Sequence, residues 1–118
     1  MTYNMAICSG ENNERIYQNP SPKAIDRAID DLTPAQFHFV TLEAKPPVER
    51  CAYIQTLIEH EGRMQGRYLL EARYAFDGQF RHYKTHTADA SEVKKAFRNY
   101  AEGVPPNTAG WEDITREL

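Results

Sequence analysis

The dipeptide Asp77-Gly78 stands between two runs rich in aromatic and β-branched residues, Tyr68–Tyr74 (YLLEARY) and Phe80–Thr87. An Asp-Gly pair accepts positive φ at both centres of a two-residue turn, and the twist of that turn matches paired strands. The spacing therefore dictates an antiparallel hairpin. Alternation along its first strand puts Tyr68, Leu70, Ala72 and Tyr74 on one face and Glu71 and Arg73 on the other.

More strands read on the N-terminal side of the hairpin. Phe37–Glu43 (FHFVTLE) is apolar on both faces, as in a central strand. Lys45-Pro46-Pro47 is expected to break the chain. Tyr53–Glu59 (YIQTLIE) follows as a strand, and Gly62 to Gly66 turns after it. Near the start, Met5-Ala6-Ile7-Cys8 reads as an edge strand before the polar turn Ser9–Asn13. Two helices complete the set. Ser21 caps the first and Pro22 occupies its first position, where the missing N–H is harmless. Ile25, Ala28, Ile29 and Leu32 form its apolar stripe, and Thr33-Pro34 is expected to end it. The second helix runs from about Ala90 to Glu102. Asp89 and Glu92 resemble a capping box, Gly103 forms the stop, and Val93, Ala96, Phe97, Tyr100 and Ala101 form the stripe. The order predicts a single α+β domain over residues 1–118, an antiparallel sheet of four to five strands with two packed helices. Its expected core is Ile25, Ile29, Leu32, Phe39, Leu70, Val93, Phe97 and Tyr100.

Charge narrows the partners. The net charge is −3, nine acids and five bases before residue 63 and eight and nine after it. Nucleic acid is disfavoured as a direct ligand, because phosphate binding needs a clustered basic surface. Two cysteines are too few for a disulfide scaffold. No apolar run approaches the ~20 residues that span a bilayer, and the N-terminus lacks a secretory pattern. A cytoplasmic protein with no membrane partner is expected.

Catalytic signatures are sparse. His82 and His86 share a strand face with Lys84 between them. Zinc needs three or four converging ligands, and the cation between the imidazoles opposes it. The plainer reading is a solvated strand edge. His38, inside an apolar run, reads as a core or interface histidine. Cys51 beside Arg50 is a conceivable thiolate nucleophile without an assignable base. Glu43, Glu59 and Glu71 lie on neighbouring strands, where solvated carboxylates are the ordinary case. No phosphate loop, nucleotide fingerprint or nucleophile elbow is present. Neither a catalytic set, a metal nor a cofactor is expected.

Binding is better signalled. The first helix ends in Asp30-Asp31, with Asp26 one turn earlier, where the helix dipole favours cations. Such a cluster is either a tolerated solvated face or a docking surface. Trp111 in the tail either closes over the core or anchors a partner. Asp26, Asp30, Asp31, His82, Lys84, His86 and Trp111 are the candidate partner-binding residues.

Asn19-Pro20-Ser21 before the Ile25/Ile29 helix, FHFVTLE, YLLEARY, the hairpin to His82-Tyr83-Lys84-Thr85, Ser91–Gly103 and the closing Gly110-Trp111-Glu112 together resemble the first-numbered family of polymorphic-toxin immunity proteins. The resemblance spans roughly residues 16–114. It leaves out the first fifteen residues and Lys45–Arg50, and its markers are mostly structural. It implies an immunity protein that binds a cognate deaminase-type toxin one-to-one and occludes its cleft, without catalysis of its own. Such toxins attack a nucleobase with a zinc-bound water. An adaptor or regulatory module, or a small enzyme built on His82, His86 and a strand carboxylate, remain the alternatives.

Overall fold

A computed structural model describes residues 1–118. Along the chain come β1 (Thr2–Ser9), β2 (Glu14–Gln18), α1 (Pro22–Asp30), β3 (His38–Val48), β4 (Cys51–Ile58), β5 (Tyr68–Phe76), β6 (Gln79–Thr87), α2 (Ala90–Ala101), β7 (Glu112–Asp113) and a short 3-10 helix, Thr115–Glu117. The seven strands form one antiparallel sheet in the order β2-β1-β3-β4-β5-β6-β7. The α+β expectation holds, but seven strands replace four to five. No helix is long and apolar enough to cross a membrane.

Both helices lie on one face of the sheet. Ile25 and Ile29 of α1 and Val93, Phe97 and Tyr100 of α2 are wholly buried against Met5, Val40, Leu42, Ile54, Leu70 and Ala72. The Tyr100 hydroxyl donates to the Cys51 carbonyl at 2.8 Å, and its ring meets Tyr3 edge-on at 5.9 Å. Both helix starts form as their caps require. Ser21 Oγ accepts from the Ala24 amide and Asp89 Oδ1 from the Ser91 amide. Glu92 does not close a capping box. Instead the Asp89 amide donates to Thr87 Oγ1 at 3.1 Å. At the end of α2, Gly103 at φ 89° lets its own amide reach the Tyr100 carbonyl and the Val104 amide reach Asn99. That pair of bonds satisfies carbonyls that the last turn leaves open. Helix α1 stops at Asp30, before the expected Thr33-Pro34 end, and Asp31 caps it.

Strand β1 is not the expected edge, since it lies between β2 and β3. Strand β2 (ERIYQ) was not anticipated, because all five residues are exposed and no apolar alternation marks it. Its alignment is held from outside, by the Asn19 side chain accepting from the Tyr3 amide at 2.9 Å and the Asn19 amide donating to the Tyr3 carbonyl. Lys45-Pro46-Pro47 does not break the chain. Strand β3 runs on to Val48 through a register shift against β4, a bulge where prolines fit a sheet. A two-residue turn at Glu49 and Arg50, both at positive φ, then closes the β3–β4 hairpin. Phe39 is not in the helix-side core. Val40, Leu42 and Ala44 take that face, and alternation turns Phe39 to the opposite one, half-buried.

Phe97→Ala should lower unfolding free energy by about 3–5 kcal/mol in a denaturant titration, the range for emptying a buried aromatic site. Tyr100→Phe should cost about 1–3 kcal/mol by stripping the Cys51 carbonyl of its buried donor.

Candidate functional site

The sheet face without helices carries most of the chemistry-bearing side chains. Register places them in three cross-strand rows over β3 to β6: Glu43, Tyr53, Arg73 and His82; Thr41, Gln55, Glu71 and Lys84; Leu57, Leu69 and His86. Most are half-buried by their neighbours. Thr41 Oγ1 donates to Gln55 Oε1 at 2.8 Å within the second row.

His82 is the deepest of them, 3% exposed. Its Nε2 shares a 2.6 Å hydrogen bond with Glu71 Oε2, and Arg73 Nε donates to its Nδ1 at 3.2 Å. A guanidinium has no lone pair to offer, so Nδ1 must accept and Nε2 must carry the proton toward Glu71. Both ring nitrogens are thereby engaged. The Arg73 guanidinium lies 4.3 Å from the Phe80 ring centroid and 5.7 Å from that of Tyr53. The chain tail holds the same residue's backbone: the His82 amide donates to Thr115 Oγ1, and its carbonyl accepts from Ile114. His86 makes a second imidazole–carboxylate pair, Nε2 to Glu59 Oε2 at 2.9 Å. Lys84, between them, leans outward to Glu112 at 3.9 Å. The two histidines thus share a face, as expected, but not as a solvated edge: His82 is buried and His86 half-buried, and each is matched to its own carboxylate, Glu71 or Glu59. No group of three His, Cys, Asp or Glu side chains is arranged to hold a metal ion. Sequence reasoning had named Glu59 and Glu71; their pairing partners needed the register.

The remaining candidates fall elsewhere. Asp26 and Asp30 face α2, where Arg98 Nε lies 3.5 Å from Asp26 and Lys94 Nζ pairs with Asp30. The Asp30 contact holds the Lys94 ammonium above the usual lysine range. Asp30 therefore has an intramolecular partner on the neighbouring helix, and Asp26 Oδ1 is buried near Arg98 without a hydrogen bond. Asp31 stands apart, exposed, 4.0 Å from Arg27. Trp111 is half-buried and packs against the core beside Leu70 and Ala96, with one side on a groove of about 450 Å³. His38 is half-buried on the helix side, its Nδ1 accepting from the Thr33 amide at 3.1 Å.

Cys51 is wholly buried, and burial pushes its thiol up to about 12, the reverse of what a nucleophile needs. The neighbouring Arg50 side chain turns away, over the Phe76 ring at 5.2 Å. A thiol-titrating disulfide reagent should leave Cys51 unmodified in native protein and react with it once denaturant is added. Rapid labelling of the native protein at Cys51 would show that the site opens. No family model matches the chain, and no curated protein and no solved structure matches it.

Proposed function

We propose that the chain works by binding a partner protein across the helix-free sheet face, and that the partner is a toxin domain, of deaminase type, which it silences by covering the active-site cleft. The observation that carries this reading is the make-up of that face. Phe39, Tyr53 and Phe80, with Leu57 and Leu69, share that face with the Glu71–His82–Arg73 set, and no helix covers them. Aromatic and Arg groups set among satisfied polar ones are the usual composition of interface anchors. A toxin as the partner comes from the resemblance of the sequence to immunity proteins.

The acidic residues of α1 contribute less to this reading than their sequence suggested. Asp26 and Asp30 are occupied by Arg98 and Lys94, so reversing them would disturb helix packing along with any interface. Lys84 and His86 lie on the proposed face, and Trp111 lies on the other side of the sheet, beside α2.

The test is whether the chain forms a one-to-one complex with a deaminase-type toxin domain, sought among the products of neighbouring genes, read by calorimetry, with rescue of growth on co-expression. The double variant Phe39→Ala with Tyr53→Ala should remain folded at assay temperature with a lowered melting point, and bind at least about 30-fold more weakly, the loss expected of an aromatic anchor worth ~2 kcal/mol. Wild-type protein that neither binds the toxin domain nor rescues growth would overturn the toxin reading. Tight binding unaffected by the double variant would move the interface off this face.

A further inference from the structure

Charge on α1 is sorted by direction. Asp26 and Asp30, one turn apart, face α2, while Lys23 and Arg27, also one turn apart, face the opposite way. They line one wall of an open groove of about 680 Å³, on the helix-bearing side, between α1 and the outermost strands β1 and β2. Ile7 and Ala24 supply its accessible apolar surface, over the buried Met5 and Ala28, and Arg15 of β2 stands among its lining with Lys23 and Arg27. Arg15 and Lys23 make no ion pair, and Arg27 reaches only Asp31, at 4.0 Å with both groups largely in water. In a chain of net charge −3, this groove thus sets Arg15, Lys23 and Arg27 against a single carboxylate, Asp31.

Beside the trough runs a free sheet edge. Strand β2 pairs only with β1, so alternate backbone N–H and C=O groups along Glu14–Gln18 point outward unpaired. Ile16 and Tyr17 on this strand are 64% and 41% exposed. The strand is short and carries Glu14 and Arg15, but it holds no proline, and no helix, loop or bulge covers its outer edge.

We propose that this edge and groove together receive an extended acidic segment of a partner protein. The segment lies alongside β2 as an added strand, seats an aliphatic side chain on Ile7 and Ala24, and sets its carboxylates against Arg15, Lys23 and Arg27. Backbone pairing supplies affinity that is indifferent to sequence, and the cationic wall selects for acid. The surface lies on the opposite side of the sheet from the Tyr53 face, so it does not depend on that face having a toxin partner.

The probe is a nine-residue peptide with three central aliphatic residues flanked on each side by three glutamates, titrated into isotope-labelled protein. Amide shifts should concentrate at Arg15–Tyr17 and along the Lys23–Asp31 side of α1. The triple variant Arg15→Glu, Lys23→Glu, Arg27→Glu alters only exposed groups, should melt like wild type, and should bind at least about tenfold more weakly. A version of the peptide with alternate N-methylated amides should lose binding, because it cannot pair with an edge. Tyr53→Ala protein should bind the peptide as wild type does. The proposal fails if the peptide leaves β2 unshifted, if the lysine counterpart or the N-methylated form binds equally, or if the triple variant binds unchanged. It also fails if the protein alone forms a dimer that Ile16→Asp disperses, which would assign the edge to a second copy of this chain.

Discussion

Phe97 and Tyr100 are wholly buried between α2 and the sheet, and the Tyr100 hydroxyl crosses to the carbonyl of Cys51 at the start of β4. That combination fixes where α2 lies: the ring volumes set its height, and the hydrogen bond sets its position along the strands. Helix α1 is then located by α2, through the Asp26–Arg98 and Asp30–Lys94 pairs and the adjoining Ile25 and Ile29. With both helices on one side, a seven-stranded sheet is wider than its cover. The other face and the β2 edge are left to side chains alone.

The helix-free face resolves that exposure through polar pairing. Glu71, His82 and Arg73 satisfy one another beneath Tyr53 and Phe80, and Glu59 does the same for His86. A buried network in which each member is paired holds its side chains in one arrangement. Such rigidity suits a surface that must present a fixed shape. It does not suit a general base, whose lone pair must be free to take a proton. The ring nitrogens of His82 are both committed.

Much of the helix-side architecture was legible because burial leaves a period in the sequence. Ile25, Ile29, Val93, Phe97 and Tyr100 were read from helical spacing alone, and the β5–β6 hairpin from Asp77-Gly78. Strand β2 left no such trace, since a strand exposed on both faces has no apolar alternation. Phe39 was misplaced because FHFVTLE is apolar on both faces, and such a run does not say which face meets the helices. The acids of α1 looked unsatisfied because their partners, Lys94 and Arg98, lie on the other helix, more than sixty residues away in sequence. The histidine–carboxylate pairs depend on strand register, which no local pattern near His82 or Glu59 records.

The Asn19 clasp on Tyr3 has a consequence for alignment. Elsewhere in the sheet a strand that slides by one residue would swap its buried and wet faces, and the loss of burial forbids the slip. Strand β2 has no fully buried residue, with Tyr17 only partly covered, so sliding it along β1 forfeits little apolar contact. What holds it in place is an asparagine at each end. Asn13 ties the tip of the hairpin to Ser9, and Asn19 grips Tyr3 through both its amide and its side chain. The outermost strand is thus latched rather than packed, and its alignment can be reset by breaking a few hydrogen bonds while the core beneath the two helices stays intact.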